Sequence, residues 1–349
     1  MYEVVFVLSL GVVFISLLGW AFKTLPQENW QILATVPLTK QGPQNWRGLN
    51  LTYYGLFIAI ATVVGVSVLL VLTSAVLVPI TLTFLVVAFV LLIGLVASRT
   101  VASLVEHKPH TFTIAGACFA GVFTVPPIIF ILDRFIIPEQ DHLPVIPVLA
   151  SLAIAYAIGE GIGRLACISF GCCYGKPLSE CQPIIGRFLG KYGLVFTGEL
   201  KKIAYEGRLA GKCVVPIQAI TALLYVTAGL VATLFFLKGY YSVALILTII
   251  VTQSWRILSE TLRADYRGPG NFTAYQIMAL VSMAYVILVV YLLGSVAAPV
   301  ANLALGLASL WDPAVIIFLQ VVGLVAFLYT GRSMVTAATI TFHIVRDRI

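Results

Sequence analysis

Arg164 is the residue around which a chemical hypothesis can be built. It lies in an apolar run and precedes the string GCCYG at residues 171–175. A guanidinium keeps its charge, so at membrane depth it requires an anion. Glycines on both sides of it permit close approach and tight turns, namely Gly159, Gly161, Gly163, Gly171 and Gly175. This combination favours a lipid phosphate over a soluble substrate.

A second charged cluster ends another apolar run. Arg256, Glu260 and Arg263 are spaced i, i+4 and i+7, so one helix face presents two positive charges and one negative charge. Glu260 can fix both arginines while leaving donors free for a ligand. The alternative is an ordinary salt-bridge ladder at a solvated helix end. Because the helix continues an apolar run, the cluster is expected at the level of the lipid headgroups, and both interpretations stay open.

Three further groups have two interpretations each. Glu160 precedes Arg164 by four residues, so it either neutralises the arginine, or positions it for a phosphate or acts as a base. His110 begins an apolar run and is either an interface residue or a general base. Arg99 ends an apolar run and is either an interface anchor or a phosphate donor.

The composition shows which elements must position these residues. The chain has 349 residues, of which 60% are hydrophobic and 10% charged, and its mean hydropathy is +1.04. A soluble domain carries about 25% charged residues, so this is a polytopic membrane protein. Apolar runs long enough to span a bilayer lie near residues 4–22, 51–73, 75–97, 112–132, 145–167, 215–237, 241–258, 274–295 and 313–330. Residues 296–311 are apolar but too short to span, so a re-entrant or interfacial position is expected.

The first apolar run and the polar segments between the runs add to this organisation. The first run lacks a basic start and a small-residue cleavage site, so it is predicted to be an uncleaved helix. A polar loop is expected at residues 23–50 and a small folded cap at residues 176–212. The formal net charge of +7 indicates topology and contact with anionic lipid rather than a nucleic-acid partner.

The six cysteines favour no metal site by their spacing. CxxC spacing does not occur, and no histidine lies near them at ligand spacing. A disulfide between Cys181 and Cys213 would require that the cap be extracytoplasmic. Cys172 and Cys173 are interpreted as small packing residues.

Both charged clusters match, in order, motifs of a known membrane-enzyme family. One motif is a Gly-Arg pair opening a glycine-rich turn that often ends GCCYG, and the other is Arg-x-x-x-Glu-x-x-Arg, often followed by Asp-x-Arg-Gly. The matching positions are Gly163, Arg164, 171–175, Arg256, Glu260, Arg263, Asp265, Arg267 and Gly268. Weaker matches are Tyr54, Arg99, Pro216 and Gln218. Over about residues 47–295 the chain therefore resembles the bacterial prolipoprotein diacylglyceryl transferases.

This resemblance implies a fold, a reaction and a set of partners. The fold is an all-α membrane bundle of about eight to nine helices in the bacterial inner membrane, with residues 176–212 facing outward. The reaction is transfer of a diacylglyceryl group from phosphatidylglycerol, or another anionic phospholipid, to a cysteine thiol of a lipoprotein precursor, without a cofactor. Residues 1–46 and 296–349 are then additions to the family domain, with terminal helices that offer surfaces for membrane-protein partners.

The resemblance also implies roles for residues. Arg164 and Arg256 bind the phosphate and Glu260 orients Arg256. The reaction also needs a base, for which His110 and Glu160 are the nearby candidates in this sequence. Further lipid-binding residues are Arg263, Arg99, Tyr54 and Gln218.

Departures from the family pattern leave a second function open. The positions of two family histidines hold Thr113 and Val215, and a family tyrosine one turn before Arg256 is Thr252. This chain therefore lacks several of the family's proton-transferring groups but keeps its arginines. The alternatives are a catalytically inactive lipid-binding or assembly subunit, and a related transferase with a different acceptor.

Overall fold

The computed structural model describes residues 2–107, 113–135, 143–182, 189–266, 272–294 and 298–349. Within these ranges, nine helices are long and apolar enough to cross a membrane, which confirms the multi-pass helical bundle. They are α1 (Tyr2–Thr24), α2 (Tyr53–Ala75), α3 (Ile80–Glu106), α4 (Ile114–Phe135), α5 (Val145–Phe170), α7 (Ile217–Leu237), α8 (Tyr241–Leu262), α9 (Ala274–Leu293) and α11 (Pro313–Thr330). Two short helices are α6 (Lys202–Tyr205) and α10 (Leu303–Ser309).

Local signals set several of the helix ends. Thr273 and Gln276 form a capping box at the start of α9, in which each side chain bonds the other residue's backbone N–H. Asp312 caps α11 immediately before Pro313, the first helical residue, where the missing proline N–H costs no hydrogen bond. Between α7 and α8, Gly239 adopts a φ of 84°, which glycine tolerates without steric cost.

Helix α5 is the centre of the bundle and packs against α2, α7 and α8. In its membrane-spanning window 78% of the residues are buried, compared with 6% in α11. The glycines expected to clear the approach to Arg164 instead face neighbouring helices. A Cβ on Gly159 would lie 3.3 Å from the Ala61 carbonyl oxygen of α2, and one on Gly161 would lie 2.8 Å from the Val226 side chain of α7. These glycines therefore allow the helix axes to come close together.

The loop expected at residues 23–50 is largely a β-hairpin. Strands β1 (Ile32–Lys40) and β2 (Asn45–Thr52) pair antiparallel, and β5 (Ala338–Thr341) adds to the other edge of β2. Trp46, Gly48 and Asn50 lie on the more buried face of β2 and Arg47 lies on the exposed face, but this alternation is too short and too polar to indicate a strand from sequence. The two segments that flank the family-like domain are therefore joined by a sheet.

Helix α2 contacts both C-terminal helices. Gly306 of α10 lies against the backbone of Val71, one turn before the end of α2. At the other end of α2, Gly55 lies against Gly331, the residue that follows α11. Residues 303–309, for which a re-entrant or interfacial position was expected, form the short helix α10 beside the end of α2.

The cap between α5 and α7 holds a buried lysine. It contains α6 and the two-stranded pair β3 (Leu194–Val195) and β4 (Cys213–Val214). Lys201 is 0% exposed, and its Nζ donates to the carbonyl oxygens of Ser169 (2.6 Å) and Leu25 (3.2 Å). The lysine thus ties the cap to the ends of α5 and α1. Cys181 and Cys213, considered above as a disulfide pair, are both free thiols.

Lys201 predicts a dependence of stability on pH. Burial lowers its pKa to about 8, although Glu28 acts in the opposite direction. In the unfolded chain the pKa is about 10.4, so between these values unfolding takes up a proton and a rise in pH stabilises the fold, by about 3 kcal/mol at most. The neutral amine still donates both hydrogen bonds.

We expect Lys201→Met to remove this gain. Thermal unfolding in detergent at pH 7.5, 8.5 and 9.5 measures it, with the exposed Lys212→Met as the matched control. The stability of the wild type relative to Lys201→Met should grow across this series. Parallel pH profiles for the wild type and Lys201→Met would contradict the assignment.

Candidate functional site

One face of α5 carries the polar centre of the bundle. Tyr156, Glu160 and Arg164 are spaced i, i+4 and i+8, so their side chains form a stripe along the helix. Arg164 donates from Nη2 to Oε1 of Glu160, and the two side chains are 14% and 3% exposed. The other carboxylate oxygen of Glu160 and the Nε of Arg164 are buried and have no hydrogen-bond partner among the described residues. We call these three residues the α5 stripe.

Arg256 of α8 reaches the same stripe from the neighbouring helix. Its Nη2 donates to the Tyr156 hydroxyl at 2.6 Å. Arg164 lies six residues before the end of α5 and Arg256 six residues before the end of α8, which is about 9 Å along either axis. Because Arg164 bonds Glu160 and Arg256 bonds Tyr156, the two guanidiniums contact one helix face at positions about one turn apart, and Glu160 is the carboxylate of the stripe.

The tyrosine beside Arg256 was missed by sequence analysis. The family tyrosine one turn before Arg256 is Thr252 here, yet Tyr156 supplies a phenol to Arg256 from α5. The available signal was the spacing of Tyr156 from Glu160 by four residues. Tyr225 packs beside Tyr156 with ring centroids 6.3 Å apart, but its hydroxyl donates to the Thr252 carbonyl oxygen at 2.8 Å.

The end of α8 is tied to the GCCYG turn. Arg263 donates from Nε and Nη2 to the two carboxylate oxygens of Asp265 at 2.8 and 2.5 Å. The backbone joins the same regions, since Ala264 N donates to the Tyr174 carbonyl oxygen at 3.1 Å and Gly175 forms a bridge with Arg263. The two sequence motifs thus meet in space.

The remaining predicted residues lie around this centre. Glu260 is half-buried on α8, and its charge interacts with that of Arg263. The hydrogen bonds of Arg263 described above go to Asp265. Tyr54 of α2 packs against Phe170 at the end of α5, with ring centroids 5.6 Å apart. Gln218 is buried, and its Nε2 donates to the Cys172 carbonyl oxygen at 2.8 Å.

Arg99 and His110 were also proposed for the site from the sequence. Arg99 is exposed near the end of α3, and its guanidinium carbon lies 5.3 Å from the ring centre of Tyr329 on α11. His110 lies outside the described residues. Thr113, which occupies the family histidine position, is buried, and its hydroxyl has no hydrogen-bond partner within the described ranges.

The turn after α5 is a Schellman motif. Gly171 has a φ of 72°, its N–H donates to the Ile168 carbonyl oxygen at 3.2 Å, and the Cys172 N–H donates to the Cys167 carbonyl oxygen at 3.1 Å. Gly175 is required for a different reason, because a Cβ there would collide with the Val215 backbone. Cys173 has a φ of 56°, an uncommon conformation for a residue with a side chain.

This turn brings three thiols together. The sulfur atoms of Cys167, Cys172 and Cys173 all lie within 4.8 Å of one another. Hydrogen bonds from the other two thiols, with the charges of Arg263 and Arg164, hold the pKa of Cys173 well below its usual range. Sequence spacing had favoured no metal site, because it could not show that the turn reverses toward the helix.

The comparisons with known proteins agree with the extent of the resemblance. A protein-family model described as prolipoprotein diacylglyceryl transferase matches residues 44–293. This range covers α2 to α9 and contains both charged clusters. A comparison with curated proteins gives no match.

Tyr156 gives a test of the α5 stripe. A hydrogen bond to a charged group contributes about 1.5–3 kcal/mol, so Tyr156→Phe should weaken binding of an anionic phospholipid by about 10- to 100-fold. The matched control is Tyr225→Phe, which removes an adjacent phenol that bonds a backbone carbonyl. Lipid affinity is measured by titrating vesicle or micelle lipid into purified protein. Equal effects of the two variants would contradict a specific role for Tyr156.

Proposed function

The chain belongs to the prolipoprotein diacylglyceryl transferase family, and we propose that it transfers the diacylglyceryl group of phosphatidylglycerol to a cysteine thiol of a lipoprotein precursor. The family supports a lipid donor and a lipoprotein acceptor in a multi-pass membrane protein. The choice of phosphatidylglycerol, the bacterial inner membrane and the outward orientation of residues 176–212 belong to the proposal.

One observation carries it, namely that Arg164 and Arg256 bond residues of the same α5 stripe that lie one turn apart. Arg164 bonds the carboxylate of Glu160 and Arg256 bonds the neutral phenol of Tyr156, so these residues together carry an excess positive charge that a phosphate can balance. A guanidinium in a low-dielectric setting binds a phosphate through short, charge-assisted hydrogen bonds. A phospholipid reaches this depth with its acyl chains in the bilayer, which a soluble phosphate ester does not.

The reaction then follows from the position of the phosphate. The cysteine thiol loses its proton to a base. The thiolate then attacks the carbon of the diacylglyceryl group that is bonded to the phosphodiester oxygen. A carbon–sulfur bond forms, the carbon–oxygen bond breaks, and glycerol phosphate leaves with the electron pair. The arginines bind the charge that develops on the leaving group, which is the interaction that lowers the barrier.

Two residues remain candidates for the base. Glu160 has a buried carboxylate oxygen that accepts no hydrogen bond within the described part of the chain, and it lies on the stripe between Arg164 and Tyr156, the residue that Arg256 bonds. His110 is proposed from the sequence, as the imidazole nearest to the start of α4. Glu260, Arg263, Arg99, Tyr54 and Gln218 are proposed as orienting or lipid-binding groups around this centre.

Arginine-to-lysine variants test the phosphate contacts. Lysine keeps the charge but lacks the planar fork, so Arg164→Lys and Arg256→Lys should each lower transfer by about 100-fold or more. The assay is thioether formation between phosphatidylglycerol and a precursor peptide with a single cysteine. Arg47→Lys, at an exposed position of β2, is the matched control.

The outcomes separate the candidate functions. Wild-type activity in both site variants would contradict the role of the arginines. Tight binding of phosphatidylglycerol by the wild type without any thioether would support the inactive lipid-binding subunit instead. Transfer to an acceptor other than a cysteine peptide would identify the related transferase.

The base is tested by the dependence of activity on pH. If His110 is the base, activity should rise as the pH increases through about 6–7, because only the neutral imidazole accepts a proton. His110→Ala should then abolish transfer and leave phosphatidylglycerol binding unchanged. If transfer survives in His110→Ala but is lost in Glu160→Gln, the assignment passes to Glu160.

A further inference from the structure

The three thiols beside the site form a cluster that the proposed reaction does not use. Cys167 lies in the last turn of α5, and Cys172 and Cys173 lie in the turn that follows. All three side chains are half-buried, so they are held in place and remain accessible to a small ion. The incoming peptide supplies the nucleophilic thiol, so the cluster needs another explanation.

The backbone itself places the sulfur atoms together. In a Schellman motif the residue three positions before the helix end packs against the second residue after it, and a hydrophobic pair usually fills these positions. Here Cys167 and Cys172 occupy them. The left-handed conformation of Cys173, with a φ of 56°, then turns the third sulfur toward the other two.

The spacing of the sulfur atoms fits one bound ion. Three sulfurs at about 2.3 Å from a central ion lie about 4 Å apart. The three sulfur atoms here lie within 4.8 Å of one another, so small side-chain rotations suffice to enclose an ion. Each ligating thiol releases its proton to water.

The chemistry of the surroundings selects the ion. Among the described residues the cluster contains sulfur ligands alone, without a histidine or a carboxylate within the same distance. Arg164 and Arg263 act on Cys173, and Lys202 interacts with Cys172, so positive charges surround the cluster. The two arginines favour the thiolate of Cys173, and none of these cations can ligate a metal ion. Soft thiolates select soft ions, and a structural zinc site requires a fourth ligand.

We propose that Cys167, Cys172 and Cys173 form a three-coordinate site for a monovalent copper ion. The ion joins the end of α5 to the turn that pairs with the end of α8. This site concerns the chain's own thiols and does not depend on transferase activity.

The test is titration of Cu(I) into the full-length chain, purified under reducing conditions and placed in uncharged phosphatidylcholine bilayers. Ascorbate keeps the copper monovalent, and a Cu(I) chelator of known affinity competes for it. We expect one Cu(I) per chain with a thiolate charge-transfer absorbance. In the triple variant Cys167→Ser, Cys172→Ser, Cys173→Ser, the affinity should fall by at least 100-fold.

The chain provides its own control in the other three cysteines. The triple variant Cys118→Ser, Cys181→Ser, Cys213→Ser removes the same number of thiols and should bind Cu(I) as the wild type does. If the first triple variant fails to fold, Cys173→Ser alone should still lower the affinity for Cu(I), because it removes one of the three ligands and leaves a two-coordinate site. Thermal unfolding without copper establishes that the variants are folded, and Cu(I) should raise the unfolding temperature of the wild type only when the cluster is intact.

Several results would overturn the proposal. These are equal Cu(I) binding by the wild type and the first triple variant, tighter binding of Zn²⁺ than of Cu(I), or a disulfide among the three cysteines in the purified chain by mass spectrometry. Phosphatidylglycerol and precursor peptide are absent from the titration. A failure of copper binding therefore leaves the transfer reaction untouched, and an inactive chain can still bind copper.

Discussion

Two charges that cannot be removed are held inside a membrane protein, and much of the bundle is arranged around them. Arg164 and Arg256 are bound through Glu160 and Tyr156, which stand one turn apart on α5. Those contacts require α5 to be buried on several sides, and the close crossing of α2 and α5 at Gly65 and Gly159 allows it. A cluster that contains more cationic than anionic groups is suited to an anion that arrives from the bilayer.

The same helix end organises the surface above the charges. Because the Schellman turn reverses the chain, the segment after α5 returns over the end of α8 and contacts Gln218 at the start of α7. Arg263 and Asp265 close this arrangement with two parallel hydrogen bonds. Three bundle helices are therefore connected by five residues of turn, which gives a physical reason for the dense glycine and cysteine content of that segment.

The parts of the structure that sequence analysis predicted are those that depend on local chemistry. Apolar runs located the nine membrane helices described, and the four-residue spacing of Glu160 and Arg164 located their ion pair. Sequence analysis did not predict the contacts between segments that are distant in the chain. The bond from Arg256 to Tyr156 joins positions 100 residues apart. The roles of Gly159 and Gly161 depend on which helices pack beside α5, and the convergence of the cysteines depends on a left-handed residue.

The sheet that joins the two ends of the chain also constrains how the molecule folds. Asn45 of β2 pairs with Thr341 of β5, so the ribosome must make all of the residues between them before this pairing can form. During synthesis the outer edge of β2 has no strand beside it, while β1 protects the other edge. Pairing of such distant segments is slow because a large loop must close first. The three-stranded sheet can therefore be completed by β5 only after helix α11 has been synthesised.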